Sequence, residues 1–193
     1  MNKRRAKRRR HPLRILAVLA IVAALIAVCA TLFGNSNRLL KRYPVAYEAE
    51  IRAAAEQFSL DPAYVASVVL AESSYDAQAV SSAGAMGLMQ IMPSTGEWIA
   101  GKFDESFVQE DLFVPEVNLR YGCWYLRFLL DRYDGSMRAA SAAYHQGQGR
   151  VDQWLEDPRY SSDGKTLEVI GSAATNTYVN RIMDNYAHYQ QVY

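Results

Sequence analysis

The stretch that decides the fold is residues 61–90, which read DPAYVASVVLAESSYDAQAVSSAGAMGLMQ. Asp61 followed by Pro62 is a helix start signal, because aspartate caps free N–H groups and proline suits the first helical position. Apolar residues then recur at helical spacing, which predicts a helix to about Glu72. A loop rich in glycine and serine, Ser81–Gln90, follows it.

Glu72 is the residue that does not fit this helix. Val65, Val68, Val69 and Glu72 fall at i, i+3, i+4 and i+7, so the carboxyl shares the face of the valines. Burial and the negative end of the helix dipole both disfavour an ionised carboxylate, so we expect a raised pKa. A carboxyl that stays protonated near neutral pH is what a general acid requires. The alternative is a glutamate at a helix end that simply reaches water.

The loop after Glu72 is unusual for a linker, because it places Leu88 and Met89 among glycines. Glycine lets a backbone approach a ligand closely, and Gln90 offers both a donor and an acceptor. The pattern therefore favours a binding loop over a flexible linker. Further along, Ala143–Gly147 ends a helix with Tyr144, whose hydroxyl could point into a cleft.

The rest of the chain after Pro44 also has helical periodicity, and no run alternates convincingly as a strand. We expect a short helix opened by a capping box at Ser94–Glu97 and a loop at Ser161–Ser172. The other predicted helices are Val45–Phe58, Pro115–Tyr133, Ser136–His145 and Thr175–Gln190, with Gly147-Gln148-Gly149 as a break. The predicted fold is an all-α domain over residues 43–193.

The charge of the chain is divided unevenly along its 193 residues. Residues 1–14 hold 8 of the 21 Lys and Arg and no acid, whereas residues 34–193 hold 13 basic and all 20 acidic residues, a net charge of −7. This argues against a nucleic-acid binder, because the positive charge lies in a short leader.

The leader predicts export. Residues 15–33 are 19 consecutive uncharged residues, which span roughly 28 Å as a helix, about the hydrocarbon thickness of a bilayer. We expect residues 1–14 to be a cytoplasmic leader, 15–33 a transmembrane signal-anchor and 34–42 a tether to an extracytoplasmic domain. The alternatives are a signal peptide cleaved after Ala30 and, less well matched, lipidation at Cys29. Every version exports the domain.

At three places the sequence resembles the soluble-lytic-transglycosylase-like (SLT) domain, the lysozyme-related fold of lytic transglycosylases and goose-type lysozymes in glycoside hydrolase family 23. Glu72-Ser73 matches the first family motif, Gly87–Gln90 the second and Ala143–Gly147 part of the third. Val114–Leu119 followed by Gly122 also resembles the family's Pro-x-x-Asn-Leu helix start. The resemblance covers about residues 43–189.

The resemblance implies an enzyme that cleaves the β-1,4 bond between N-acetylmuramic acid and N-acetylglucosamine in peptidoglycan and leaves 1,6-anhydro ends. Glu72 would be the single general acid and base, with no metal or cofactor. The substrate-binding residues implied are Ser73, which would also orient Glu72, Ser81 and Gln90 as hydrogen-bonding groups, Met89 and Met92 along the sugar groove, and Tyr144 and Tyr178 in the cleft. Core packing is an equally good alternative for the two methionines.

Two departures from the family pattern bear on the site. His145 and Gln146 replace the usual Asn and Ala, and Ala174 stands where the family has a cleft-lining Glu, although Thr175 and Tyr178 are kept.

Two other functions stay open beside the transglycosylase. A hydrolytic muramidase would need Asp76, Asp104 or Asp111 to position water, and a peptidoglycan-binding module would need no acid at all. The expected partners are glycan strands and, through residues 15–33, the cytoplasmic membrane. A tether near that membrane suggests a further partner in wall synthesis or in an envelope-spanning machine.

Overall fold

A computed structural model describes the backbone of residues 10–193 and the side chains of residues 15–31 and 42–193. The chain divides into two units, Met1–Pro44 and Val45–Tyr193. The first unit contains helix α1, Arg10–Arg42, whose described side chains at residues 15–31 are exposed. Residues 34–42 are helical and continue α1, and the tethering role expected of them stays a prediction.

The described residues include no helix that is both long enough and apolar enough to cross a membrane. The transmembrane segment predicted at residues 15–33 therefore has no support from the structure. Most of the predicted leader, residues 1–14, lies outside the described residues.

The second unit is helical, and this confirms the predicted fold class. It consists of α2 (Glu48–Gln57), α3 (Pro62–Glu72), α4 (Pro93–Lys102), a 3-10 helix (Gln109–Phe113), α5 (Pro115–Arg132), α6 (Met137–Gln146), α7 (Gln148–Leu155) and α8 (Ala173–Tyr189). Between α3 and α4 the chain forms two isolated β-bridges, Val80 with Met86 and Met86 with Ile91.

Helix α3 is the centre of this unit, and its most extensive packing is against α8. It begins where the sequence predicts, since Asp61 Oδ1 accepts a hydrogen bond from the backbone N–H of Ala63 at 2.8 Å. Eight of its 11 residues are buried, including the three valines on the face of Glu72. Because the helix is buried on nearly every side, Glu72 lies at the end of a core helix and not on a surface helix.

Helices α5 and α6 also match the sequence. The predicted inward face of α5 is buried: Leu119, Gly122, Cys123, Leu126, Leu129 and, just after its end, Tyr133. Ser136 Oγ caps α6 by accepting from the backbone N–H of Ala139 at 3.2 Å. These helices hold the loop that follows α3 against the core.

One local prediction is wrong and another holds only in part. Helix α4 begins at Pro93 with Met92 as its N-cap, and no side chain caps it, because proline already supplies the backbone angle of the first helical position. The break predicted at Gly147-Gln148-Gly149 is confined to Gly147. Gly147 has φ +86 and ends α6, but a new helix starts at the next residue and buries Val151 and Trp154.

Candidate active site

Glu72 is the last residue of α3 and is half-buried. Burial raises the pKa of its carboxyl from an ordinary 4.5 to about 7, because the surrounding protein solvates the ionised form poorly. A hydrogen bond from Tyr178 and the charge of Arg181 lower the pKa, but they offset only part of this effect. The raised pKa expected from the sequence is therefore found.

Tyr178 is the direct partner of this carboxyl. It is buried on α8, and its hydroxyl donates a hydrogen bond to Glu72 Oε1 at 2.5 Å. The packing of α3 against α8 brings the two side chains together. The sequence placed Tyr178 among the substrate-binding residues, whereas in the structure its hydroxyl is engaged by the acid.

Arg181 lies one helical turn beyond Tyr178 and is exposed. Its Nη2 donates to the backbone carbonyl of Ala71 at 2.5 Å. A cation at the C-terminus of α3 satisfies a free carbonyl and opposes the negative end of the helix dipole. Because this guanidinium lies at the residue before Glu72, its positive charge favours the ionised form of the Glu72 carboxyl.

The loop after α3 is fastened to the residue that follows Glu72. Ser73 Oγ donates to the carbonyl of Leu88 at 2.8 Å, so the end of α3 is joined to the Gly87–Gln90 segment. Orientation of Glu72 by Ser73 would act through this backbone connection, and that role stays a prediction.

Asn118 is a fully buried side chain that organises the same segment. Its Oδ1 accepts from the backbone N–H of Met89 at 2.7 Å, and its Nδ2 donates to the carbonyls of Met86 at 2.9 Å and Leu112 at 2.8 Å. Gly87 has φ +75, and a Cβ there would lie 2.2 Å from the Leu112 carbonyl oxygen and 2.3 Å from Asn118 Nδ2. Only glycine meets both the backbone angle and the close approach.

Ser81 and Gln90 make hydrogen bonds within the loop itself. Ser81 Oγ accepts from the backbone N–H of Ala85 at 3.0 Å. Gln90 Nε2 donates to the carbonyls of Ala79 at 3.2 Å and Gly87 at 2.9 Å. Their observed role is to shape the loop, and their contact with a substrate stays a prediction.

The two methionines predicted to line the groove differ. Met89 is fully buried, and its Sδ would lie 2.2 Å from a Cβ at Gly122 of α5. Its side chain belongs to the core, so the prediction that it lines the groove is wrong. Met92 is 39% exposed, which leaves its thioether free to meet a ligand.

Tyr144 lies on α6 beside the acid. Its hydroxyl donates to the carbonyl of Met89 at 2.8 Å, and its ring centroid is 5.4 Å from that of Tyr125. Burial and then the charge of Glu72 raise the pKa of Tyr144 well above its ordinary value. Tyr144 therefore lies within the electrostatic range of Glu72, and its contact with a substrate in the cleft stays a prediction.

His145 and Gln146, the departures in the third motif, form a polar cluster with Thr175 at the start of α8. Thr175 Oγ1 donates to Gln146 Oε1 at 2.8 Å and lies 3.2 Å from His145 Nδ1. The His145 ring packs 4.5 Å from that of Tyr178. Burial, and then the charge of Arg181, lowers the pKa of His145. Ala174 is exposed beside this cluster, so both departures lie close to the Tyr178–Glu72 pair.

A second catalytic carboxylate is not evident around Glu72 in the described part of the chain. The two side chains that act on its pKa are a phenol and a guanidinium. Asp76, Asp104 and Asp111 are all exposed, and Asp76 accepts from the backbone N–H of Gln78 at 2.9 Å. The site is therefore built around one acid.

Comparison with known proteins points to one family of enzymes, the transglycosylases. The family model described as the transglycosylase SLT domain matches residues 49–166. The chain is 30% identical over 169 residues to the soluble lytic murein transglycosylase of Salmonella typhimurium, which covers 86% of this chain and 26% of that protein. It is 38% identical over 120 residues to the transglycosylase of Enterobacteria phage PRD1, covering 62% of this chain and 41% of that one.

A similar fold occurs in a solved structure of an inactive mutant of the lytic transglycosylase Slt from Pseudomonas aeruginosa. The TM-score is 0.72 at 34% identity, over 79% of this chain and 25% of that one. The chain thus spans about a quarter of the length of these bacterial relatives. The family match ends at residue 166, before α8. The hydrogen bond between Tyr178 and Glu72 is therefore seen in the structure and is not part of that match.

Proposed function

This chain belongs to the transglycosylase SLT domain family, and from that premise we propose that it is a peptidoglycan lytic transglycosylase. It cleaves the β-1,4 bond between N-acetylmuramic acid and N-acetylglucosamine and leaves a 1,6-anhydro-muramic end. The observation that carries the proposal is Glu72, a carboxyl whose pKa of about 7 suits it to give and to take a proton at neutral pH. The soluble lytic murein transglycosylase relative supports the substrate class.

The first chemical step uses Glu72 as an acid. Protonated Glu72 gives its proton to the glycosidic oxygen, the bond from that oxygen to C1 of the muramic residue breaks, and positive charge develops at C1. The departing N-acetylglucosamine end gains a hydroxyl. Tyr178 and Arg181 both favour the carboxylate that this step leaves behind.

The second step uses the same group as a base. Ionised Glu72 takes the proton of the C6 hydroxyl of the muramic residue, and the C6 oxygen bonds to C1, which closes the anhydro ring. Glu72 ends protonated, as it began, and no water is consumed. One carboxyl with a pKa near neutrality is sufficient for both steps.

A hydrolytic muramidase is the second candidate, because the same fold would serve it. It requires a water held against C1, a task that a second carboxylate usually performs. The exposed positions of Asp76, Asp104 and Asp111 and the absence of an acid among the groups acting on Glu72 in the described residues favour the transglycosylase.

Mass spectrometry of muropeptides released from purified peptidoglycan tests the proposal. The full chain is compared with Glu72→Gln and with Glu97→Gln, a matched change at an exposed glutamate. We expect anhydro-muramic products from the parent and from Glu97→Gln, and none from Glu72→Gln. Reducing-end products would instead establish a muramidase. Binding to peptidoglycan without release by any of the three would leave only a binding module.

The location of the enzyme is part of the proposal, since peptidoglycan lies outside the cytoplasmic membrane. Eight cations followed by 19 uncharged residues support export by the first 33 residues. Cell fractionation with N-terminal sequencing tests this. Intact chain in the membrane fraction supports an anchor, chain beginning after Ala30 supports a cleaved signal, and intact chain in the cytoplasm contradicts export.

A further inference from the structure

We propose that His145 is a positioning residue, which holds the phenol of Tyr178 against the carboxyl of Glu72. Position 145 is an asparagine in the family pattern, so the resemblance assigns no role to a histidine there. The inference rests on the proposed function for its effect on turnover. The arrangement of the three side chains is a property of the folded chain and can be tested without turnover.

The imidazole of His145 packs on the ring of Tyr178. The two ring centroids are 4.5 Å apart, and the ring planes are inclined by 34°. Tyr178 is buried and His145 is exposed, so the imidazole is the outer cover of the phenol. The phenol hydroxyl donates to Glu72 Oε1. Because a hydrogen bond weakens steeply when its donor and acceptor lose alignment, a contact that restrains this ring also restrains the bond to the acid.

A chain of hydrogen bonds fixes the imidazole in this place. Thr175 is fully buried and has one hydroxyl proton, which it donates to Gln146 Oε1 at 2.8 Å. Its oxygen must therefore accept from its other partner, His145 Nδ1, at 3.2 Å. The neutral imidazole thus carries its proton on Nδ1, and this proton sets the orientation of the ring.

These contacts join the end of α6 to the beginning of α8. His145 and Gln146 are the last two residues of α6, and Thr175 lies in the first turn of α8. Residues three apart share one face of a helix, so Thr175 and Tyr178 both face α6. The position of the phenol is therefore set by a side chain from a second helix as well as by α8 itself.

His145 does not act on Glu72 as a charge. Burial, and then the charge of Arg181, lowers the pKa of His145 from its ordinary 6.5, so the imidazole is neutral at pH 7. The side chains that act directly on the pKa of Glu72 are Tyr178 and Arg181. An effect of His145 on the acid therefore passes through the phenol.

The direction of the effect separates positioning from shielding. The bond from Tyr178 lowers the pKa of Glu72, whereas burial raises it. If His145 holds the phenol in line, its removal weakens that bond and the pKa of Glu72 rises. If His145 only keeps water away, its removal hydrates the carboxylate and the pKa falls.

NMR titration of the carboxyl carbons in the full chain measures this pKa, and the Glu72 signal is identified by its absence in Glu72→Gln. We expect His145→Ala to raise the pKa by about half a unit, since the bond is loosened and not removed. Thr175→Val, which removes the acceptor of the Nδ1 proton, should shift it in the same direction. Thr177→Val is the matched control, because Thr177 is exposed on α8 and donates to the Ala173 carbonyl at 3.0 Å. It should leave the pKa unchanged.

A double-mutant cycle with Tyr178→Phe shows whether His145 acts through the phenol. In the chain with Tyr178→Phe, the further change His145→Ala should leave the pKa of Glu72 where it is, because no bond remains to be aligned. An unchanged or lower pKa in the single variant His145→Ala overturns the positioning role. A rise that persists without the Tyr178 hydroxyl overturns it too.

Turnover separates this inference from the function on which it rests. On soluble glycan fragments, His145→Ala should lower the maximal kcat of the pH profile about fivefold and leave KM unchanged, because a misaligned phenol stabilises the product carboxylate less well. A rise in KM at constant kcat would make His145 a substrate contact and overturn the positioning role. If the parent releases no anhydro product while the cycle gives the expected pKa shifts, the proposed reaction fails and the positioning role stands.

Discussion

Tyr178 and Glu72 are 106 positions apart in sequence, yet the phenol of one donates a hydrogen bond to the carboxyl of the other at 2.5 Å. Two opposing effects meet there. Burial favours the protonated carboxyl, while the Tyr178 bond and the Arg181 charge favour the ionised form. Their balance is a pKa of about 7, at which both forms are populated at neutral pH. The structure thus supplies a group able to act as acid and then as base.

Tyr178→Phe should raise the pKa of Glu72 further, because it removes a bond made preferentially to the carboxylate. A hydrogen bond to a charged group contributes about 1.5 kcal/mol or more, which corresponds to about one pKa unit. Activity limited by protonated Glu72 declines above about pH 7 in the parent, and this decline should move about one unit higher. The kcat of the variant and the parent measured from pH 5 to 9 checks the shift.

Tyr186→Phe is the matched control for that change. Tyr186 is on the same helix, but its hydroxyl donates to Asp61 Oδ2 at 2.6 Å, at the other end of α3. It should lower stability slightly and leave the pH profile of kcat in place. An alkaline limb that stays unmoved in Tyr178→Phe would show that this bond does not set the pKa of Glu72.

Glu72→Gln should stabilise the protein at alkaline pH. Because the folded pKa of about 7 exceeds the ordinary value of 4.5, the folded state holds an extra proton between these values. The contribution of this group to stability is therefore complete below about pH 4.5 and declines as the pH rises to about 7. The glutamine variant avoids the cost of a buried charge, so we expect a gain of about 1–3 kcal/mol at pH 8 and a much smaller change at pH 4.5.

Urea unfolding at the two pH values measures this difference. Glu97→Gln, on the exposed surface of α4, should change the free energy of unfolding by a similar small amount at both. A gain for Glu72→Gln that is equal at pH 4.5 and pH 8 would mean that the Glu72 carboxyl is not desolvated in the folded state.

The sequence predicts the helices of this domain well where local signals are strong. Asp61-Pro62 marks the start of α3, and the apolar spacing that follows places Glu72 among buried valines. Helix α7 shows the limit of such signals. Gly147 and Gly149 predict a break in the helical pattern. In the folded domain, the burial of Trp154 stabilises a helix that begins at the residue after Gly147.

The candidate site is predictable in part for the same reason. Glu72 is evident because a carboxyl on an apolar face is a local anomaly, whereas its partners on α8 depend on how two distant helices pack. Arg181 carries no sequence signal at all. Met89 shows that a methionine beside a glycine loop reads equally well as core or groove until its neighbour, Gly122, is known.

Asn118→Ala should destabilise the domain and impair turnover. The side chain satisfies one backbone N–H and two carbonyls inside the core, and about 1 kcal/mol per lost hydrogen bond gives about 3 kcal/mol. The loop around Met89 should loosen with it, and the Tyr144 hydroxyl bonded to that loop should lose its fixed position. Urea unfolding and muropeptide release measure the two effects.

Asn180→Ala, at an exposed position on α8, is the control and should change neither quantity appreciably. Asn118→Asp refines the test, because it keeps an acceptor for Met89 N–H but loses the donor to Met86 and Leu112. If the free energy of unfolding of Asn118→Ala lies within about 0.5 kcal/mol of the parent value, the substitution behaves like an ordinary surface change. That result would contradict the role of Asn118 in joining these backbone segments.

Gly122→Ala should be destabilising because α5 has no room for a Cβ at this position. The added methyl would lie 2.2 Å from Met89 Sδ and 2.9 Å from Met89 Cβ, and Met89 is fully buried. Overpacking of this kind costs about 1–3 kcal/mol, and displacement of Met89 should also lower kcat through its carbonyl bond to Tyr144.

Gly101→Ala on α4 is the matched helical control, since a Cβ there meets nothing within 4 Å. It should be neutral or stabilise by up to about 1 kcal/mol. Thermal unfolding and kcat are measured for both variants. Equal changes in Gly122→Ala and Gly101→Ala would show that the position of Met89 does not depend on Gly122.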